Sequence, residues 1–323
     1  MVVDSLLISP ASPRGWEQKC EECDDLFHSS AWQRVLSEGF RCSSVYLWNA
    51  QIKTGCALPV FPKGPVRIGY LGFPAGGGIG SLAAPASIVE ALSGLSFGRH
   101  IDAIRVPISG FGPPALAQHR AVSVPETAIV DLPNWEAESL PSAIHRNLKK
   151  FERSELELRA CDDADRDAEC YHRLYLATIE RHRGRRRYNR GYFRALLALS
   201  LTSDRLRCTG AYAGNKLAAF LVAASSGRTV FYLHGASHPR YTQARPSDAL
   251  FQNAILWAKK IGAEQFNMMA SPASQPGLVR FKEKWGGTTR QHRTCTIPVS
   301  WIWKLAAPLL GLRPRNAEQL FPR

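Results

Sequence analysis

The spacing of apolar positions changes along this chain, and the changes predict its elements. From Ser142 to about Arg153, Ile144, Leu148 and Phe151 return every three or four residues, which places one apolar stripe on a basic helix. Two more helices are predicted near Ala168–Arg183 and Tyr192–Leu201. The period then falls to two. Leu206–Ala213 and Lys216–Ala224 alternate as strands around Gly214-Asn215, a hairpin signal, and the turn Ser225–Arg228 leads into a third strand, Thr229–Gly235. Pro246–Ile261 reads as a long helix, with Leu250, Ala254, Trp257 and Ile261 on one face, proline near its start and Gly262 as its stop. Glu264–Met269 is a fourth strand. Antiparallel strands, then a helix, then a strand make an α+β layout. The first half is less regular: a helix around Ala31–Glu38, then the short strands Val45–Trp48 and Cys56–Phe61. Gly69–Gly80 is glycine-rich, but it has neither the dinucleotide-binding nor the P-loop spacing and reads as a loop.

At 323 residues the chain exceeds what one hydrophobic core usually serves, so two domains are expected. Extended sequence gives way to helical sequence at Pro133, which predicts domains over 1–133 and 134–300 with a tail over 301–323. Charge supports the division. The net charge is +14, yet residues 1–133 carry 10 Lys and Arg against 11 Asp and Glu, whereas 134–300 carry 27 against 15 and the tail 4 against 1. Such a balance implies a polyanionic partner or substrate for the second half. No apolar run is long enough to span a bilayer, the first residues lack the basic start of a secretory signal, and the eight cysteines are scattered. Only Cys20 and Cys23 are close, with no second pair to complete a zinc site, so a reduced cytoplasmic protein without metal is expected.

Three segments, Ser142–Arg153, Arg245–Gly262 and Pro276–Gly287, together resemble the Fem family of aminoacyltransferases, within the GNAT acyltransferase superfamily. Ser142–Arg153 resembles the basic helix that opens the family's second domain, and Arg245–Gly262 its long helix with a closing Trp-Ala and glycine. Pro276–Gly287, containing Phe281, Lys282, Trp285 and Gly286, resembles its Phe-Lys-x-x-Phe/Trp-Gly segment. Weaker matches lie at Phe27–Trp32 and Gly55–Val60. The resemblance implies two GNAT-like domains in tandem, each a mostly antiparallel sheet flanked by helices, the first degenerate and on the acceptor side, the second catalytic. It implies amide formation, with an aminoacyl group passing from aminoacyl-tRNA to an amine of a peptidoglycan precursor or a small metabolite in the cleft between the halves. The sequence departs from the family at Asn267, where Asp is common, and it lacks the coiled-coil arm of some members.

The candidate residues each have two readings. Arg181, Arg183, Arg185, Arg186, Arg187 and Arg190 are six arginines in ten residues, suited to phosphate oxygens or to plain solvation. Tyr188 and Tyr192 would offer stacking faces beside them for a nucleic-acid end, and Arg245 is a further phosphate candidate. The resemblance puts Phe281 and Lys282 at the reaction centre, with the lysine neutralising an oxyanion; otherwise Phe281 packs and Lys282 is a surface charge. His234 is either a general base or a hydrogen-bonded core histidine, and Tyr232 and Ser271 are positioning candidates. The junction His238–Asp248 contains no glycine and Pro246 removes a donor, which argues against a coenzyme A diphosphate at the helix start, so no cofactor is expected. Two alternatives stay open: an N-acyltransferase using acyl-CoA or a carrier-bound acyl donor, and a non-catalytic nucleic-acid-binding protein of the same fold. Residues 300–312 are apolar with two tryptophans, and form a helix packed on its domain or a weak membrane-surface foot.

Overall fold

The computed structural model describes residues 6–80, 100–111, 121–182 and 184–309. They fall into two compact units. The first contains Met1–Glu126, Ala270–Gln275 and Arg290–Pro322; the second contains Thr127–Met269 and Pro276–Thr289. The sequence reading runs its second domain unbroken from 134 to 300. In the structure the chain returns to the first unit late, because strand β12 (Thr288–Pro298) pairs antiparallel with β5 (Ala103–Ile108).

In the first unit the strands run β1 (Leu7–Ser9), β2 (Ser43–Asn49), β3 (Thr54–Lys63), β4 (Val66–Tyr70), β5 and β12, antiparallel except between β4 and β5. Strand β6 (Ala121–Ile129) contains the point at which the chain leaves this unit. Alternation on β2 sends its side chains into two cores. Val45 and Leu47 join Leu58, Val60, Ile104 and Val106, while Tyr46 and Trp48 turn the other way. They meet Trp16 of helix α1 (Trp16–Glu22) edge-on at 5.2 and 5.4 Å. Helix α2 (Ser30–Phe40) starts where Ser29 accepts a hydrogen bond from Trp32 N–H, the usual N-cap arrangement.

The second unit has strands in the order β11 (Gln265–Ala270), β10 (Thr229–Ser237), β9 (Lys216–Ser226), β8 (Leu206–Ala213) and β7 (Leu156–Ala160). The last three pairings are antiparallel and β10–β11 is parallel. Gly214 takes the positive φ that the β8–β9 turn requires, 58°. Helices cover both faces, and β9 shows why. Ala219, Leu221 and Ala223 share a core with Leu250, Phe251, Ala254 and Ile255 of helix α6 (Pro246–Lys260). Phe220 points oppositely and stacks at 4.3 Å on Tyr171 of α4 (Ala164–Arg181), with Phe193 of α5 (Arg190–Ser200) at 5.9 Å. Helix α3 (Ser142–Glu152) adds Ile144 and Leu148 to the α6 side, and α7 (Pro276–Glu283) leads to Trp285 in the same core. The last described element is α8 (Trp301–Leu309). Among the described residues no helix is long and apolar enough to cross a membrane.

Candidate active site

The parallel strands β10 and β11 stay together only briefly. Thr229, Val230 and Phe231 pair with Gln265, Phe266 and Asn267, and the parallel register ends there. On the other side of β10 the register to β9 slips between Tyr232 and His234, so Leu233 is an extra residue, a β-bulge that bends the strand. The rest of β10 parts from β11 and leaves Tyr232, His234 and Gly235 past the end of the shared ladder. Bulges of this kind re-aim side chains beside sites.

Lys282 is at the end of β11. It is 2% exposed, and its Nζ donates to the carbonyl of Met269 at 2.8 Å. A lysine is almost never this buried without a partner, so the carbonyl is a condition of its burial. Met269 itself has φ of 62°, in the left-handed region, and its N–H donates to Oδ1 of the buried Asn267 at 2.7 Å. The sequence supplies the scaffold in the same segment. Trp285 is fully buried and its carbonyl accepts from Trp135 Nε1 at 2.9 Å. Gly286 ends the segment with φ of 85°, and a Cβ on Gly287 would come within 2.5 Å of Thr127. The Trp-Gly-Gly run thus closes a turn that only glycines fit, and it fixes the helix that carries Lys282.

Phe281 faces Phe251 edge-on at 5.1 Å, and Tyr232 lies 5.0 Å from Phe251. Both are packed against the aromatic core at the splay. Burial pushes the Tyr232 phenol up to about 12, so it remains a donor at neutral pH, and its hydroxyl lies where a Cβ on Gly235 would have to be. His234 stands among Tyr188 (4.5 Å), Tyr192 (5.4 Å) and Phe193 (6.0 Å), with Nε2 2.7 Å from the Tyr192 hydroxyl. Burial pulls its pKa down to about 3. Such an imidazole is neutral at pH 7 and too weakly basic to hold a proton taken from an amine. The contact with Tyr192 agrees with the hydrogen-bonded core histidine that the sequence offered beside a general base, and the low pKa weighs against the base.

The arginines separate. Arg181 reaches back to the carbonyl of Ser237 at the end of β10, 3.3 Å away. Arg190 pairs with Glu169 at 3.2 Å, while the backbone N–H of Arg187 donates to the Tyr175 hydroxyl at 2.9 Å. Arg185 and Arg186 are exposed, and Arg183 lies outside the described residues. Tyr192 is 1% exposed and Tyr188 rests against it at 4.6 Å and against Tyr175 at 5.6 Å. The stacking platform expected from these tyrosines is thus a correction: their rings are occupied in holding His234. Ser271 is buried in the first unit, its N–H bonded to Pro125 O at 2.8 Å.

Arg245 is exposed at the start of α6, with φ of 59°. Its carbonyl accepts from Asp248 N–H at 3.1 Å and Ala249 N–H at 3.5 Å. Pro246 has no N–H, and the Asp248 carboxyl is buried in the first turn, with its pKa raised by that burial. A diphosphate cradle needs open amides and no competing carboxylate. With a proline at its first position and no glycine just before it, this helix start lacks the glycine-lined run of open amides of such a cradle.

The residues that the sequence did not single out are Asp248, Met269 and, as a partner of His234, Tyr192; Asn267 stood out there only as a departure from the family pattern. The first unit also holds a buried polar cluster. Glu126, 3% exposed, accepts from Ser109 Oγ and Gly110 N–H, both at 2.8 Å, with His292 Nδ1 at 3.7 Å.

Residues 141–283 match the family described as acetyltransferase (GNAT) domain. No curated protein sequence matches the chain. Among solved structures it is similar to FemX, with a TM-score of 0.60 at 11% identity over 88% of this chain and 97% of that one. It is also similar to L-PGS from Bacillus licheniformis, with a TM-score of 0.59 at 15% identity over 94% and 96%. A protein of unknown function from Bacteroides thetaiotaomicron gives 0.56 at 11% identity over 91% and 99%. Residues 141–283 are therefore similar to the GNAT acetyltransferase domain, and the described chain as a whole has an α+β fold of the kind seen in FemX and L-PGS. Within that class its fold is like that of FemX.

Proposed function

We propose that this protein forms an amide by moving an aminoacyl group from aminoacyl-tRNA to an amine. The observation that carries the reading is the buried ammonium of Lys282 at the end of β11, where β10 has splayed away. In the reaction the amine lone pair attacks the ester carbonyl carbon, the carbonyl oxygen gains negative charge, and the C–O bond to ribose then breaks. The amine loses a proton and the ribose hydroxyl gains one. A fixed cation in a dry site stabilises that oxygen far better than one in water. Tyr232, protonated up to about pH 12, is suited to donate a hydrogen bond there, and neutral His234 holds the bulge in shape through Tyr192. The exposed Arg185, Arg186 and Arg245 suit the donor's phosphates. The acceptor is an amine of a peptidoglycan precursor or a small metabolite.

The test is single-turnover transfer from a pool of charged tRNAs, with amine acceptors supplied in turn. Lys282→Met, which keeps the length of the side chain, is expected to lower the rate about 10²–10³-fold, the range for losing one oxyanion-stabilising group. A folded variant with an unchanged rate would remove Lys282 from the chemistry. A second reading, acyl-CoA as donor, has the GNAT domain match in its favour. The α6 start opposes it, and the prediction is that CoA causes no thermal shift.

A further inference from the structure

Helix α8 shows two unlike faces. Trp303 and Ala307 are 4% and 0% exposed and pack the helix onto its unit, where it lies against β4. Trp301, Leu305 and Leu309 are 70%, 62% and 86% exposed. At a spacing of four residues they form one stripe along the outer side. This stripe is held in place. Asp102 accepts at its carbonyl from the N–H groups of Val299 and Ser300 at 2.9 and 3.1 Å, and its carboxylate accepts from Ser300 Oγ at 2.5 Å. Ser300 Oγ accepts in turn from Trp303 N–H at 3.3 Å. The helix is therefore pinned at its start and packed on one side, with three large apolar side chains directed into water.

The geometry points to an anionic lipid surface as what this face meets. Charge selects that occupant. Lys304 on the helix and Arg67 on β4 are exposed, and residues 301–323 carry four basic residues against one acidic. The sequence after the helix repeats the combination, Leu310 and Leu312 being followed by Arg313 and Arg315. A tryptophan and leucines on one side with lysine and arginine around them is the composition of a helix lying in a membrane interface. A second protein is a poorer fit. Three side chains offer a few hundred Å², below the roughly 800 Å² that each partner of a standard-size stable interface buries. This inference is independent of the transfer chemistry.

The experiment is co-sedimentation of the full chain with phosphatidylglycerol–phosphatidylcholine vesicles and with phosphatidylcholine alone. Binding is expected on the anionic vesicles, weakening as salt is raised. The triple variant Trp301→Ser, Leu305→Ser, Leu309→Ser removes only exposed side chains, so its fold is expected to hold, and its partitioning should fall about tenfold or more. Lipids with brominated chains should quench the wild type more than Trp301→Phe. Three results overturn the proposal: no binding to anionic vesicles, equal binding by the triple variant, or a wild-type dimer in solution that the triple variant abolishes.

Discussion

His234 shows how strongly one residue's surroundings change what it can do. Free histidine titrates near 6.5, but here burial among Tyr188, Tyr192 and Phe193 takes it to about 3. Between these values the unfolded chain binds the proton and the folded chain does not. The contribution to stability is therefore complete above about pH 6.5 and is lost as the pH falls towards 3, with a slope of about 1.4 kcal/mol per pH unit. Urea unfolding across that window should show the slope in the wild type. His234→Phe, which can fill the same aromatic setting, should flatten it by about one proton's worth. An unchanged slope would mean that some other group carries the acid sensitivity. Because the Tyr192 hydroxyl stays 2.7 Å from Nε2, the variant also tests whether this bond matters to transfer.

At the scale of the element, the bulge on β10 is the feature on which the site depends. Gly235 follows directly after it, back in register with Leu221, and Tyr232 occupies the space where a side chain at 235 would go. Gly235→Ala should displace the Tyr232 ring, cost about 1–3 kcal/mol and lower the transfer rate. Gly227→Ala is the control: its φ of 57° makes it a strained position, but a Cβ there meets nothing within 4 Å. It should lose about 1 kcal/mol in melting experiments and leave the rate alone. If both variants slow transfer equally, the effect is one of stability and not of the bulge. The sequence anticipated much around this element and not the element itself. Alternation gave β8, β9 and β10 to within two residues at either end, and the α6 pattern was clear because proline and glycine bracket it. It missed β7, which is five residues with charges at 157 and 159, and β12, whose start is polar and is stabilised by pairing with β5 far away in sequence. Lys282 was singled out by its motif, and the structure finds it buried instead of the surface charge of the plainer reading. Met269 and Asp248 were not singled out, and Asn267 was noted only as a departure from the family pattern, because their significance comes from a backbone turn and from burial, neither of which a local pattern encodes.

Over the whole molecule the charge is the fact that any function must accommodate. A net +14 held largely in residues 134–300 is not neutralised by internal pairing in the arginine segment, where Arg190 reaches Glu169 while Arg185 and Arg186 extend into solvent. Two explanations give different salt behaviour. If these arginines hold donor phosphates, each neutralised phosphate releases counterions, and the logarithm of the tRNA association constant falls linearly with the logarithm of salt concentration. Replacing Arg185 and Arg186 with alanine should then reduce that slope by about 0.7–0.9 for every phosphate that the two side chains neutralise, and weaken binding at low salt. If they only keep the chain soluble, the slope will be unchanged, and the affinity will shift slightly through net charge alone. Filter binding of charged tRNA over a salt series separates the two. Lys282→Met should keep the wild-type slope in the same assay, since its side chain is buried and bonded to Met269 and the proposed function assigns it to the chemical step instead of the grip on the donor. A lysine variant with a shallower slope, or an arginine variant that is slower at the wild-type slope, would exchange the roles assigned to the two clusters.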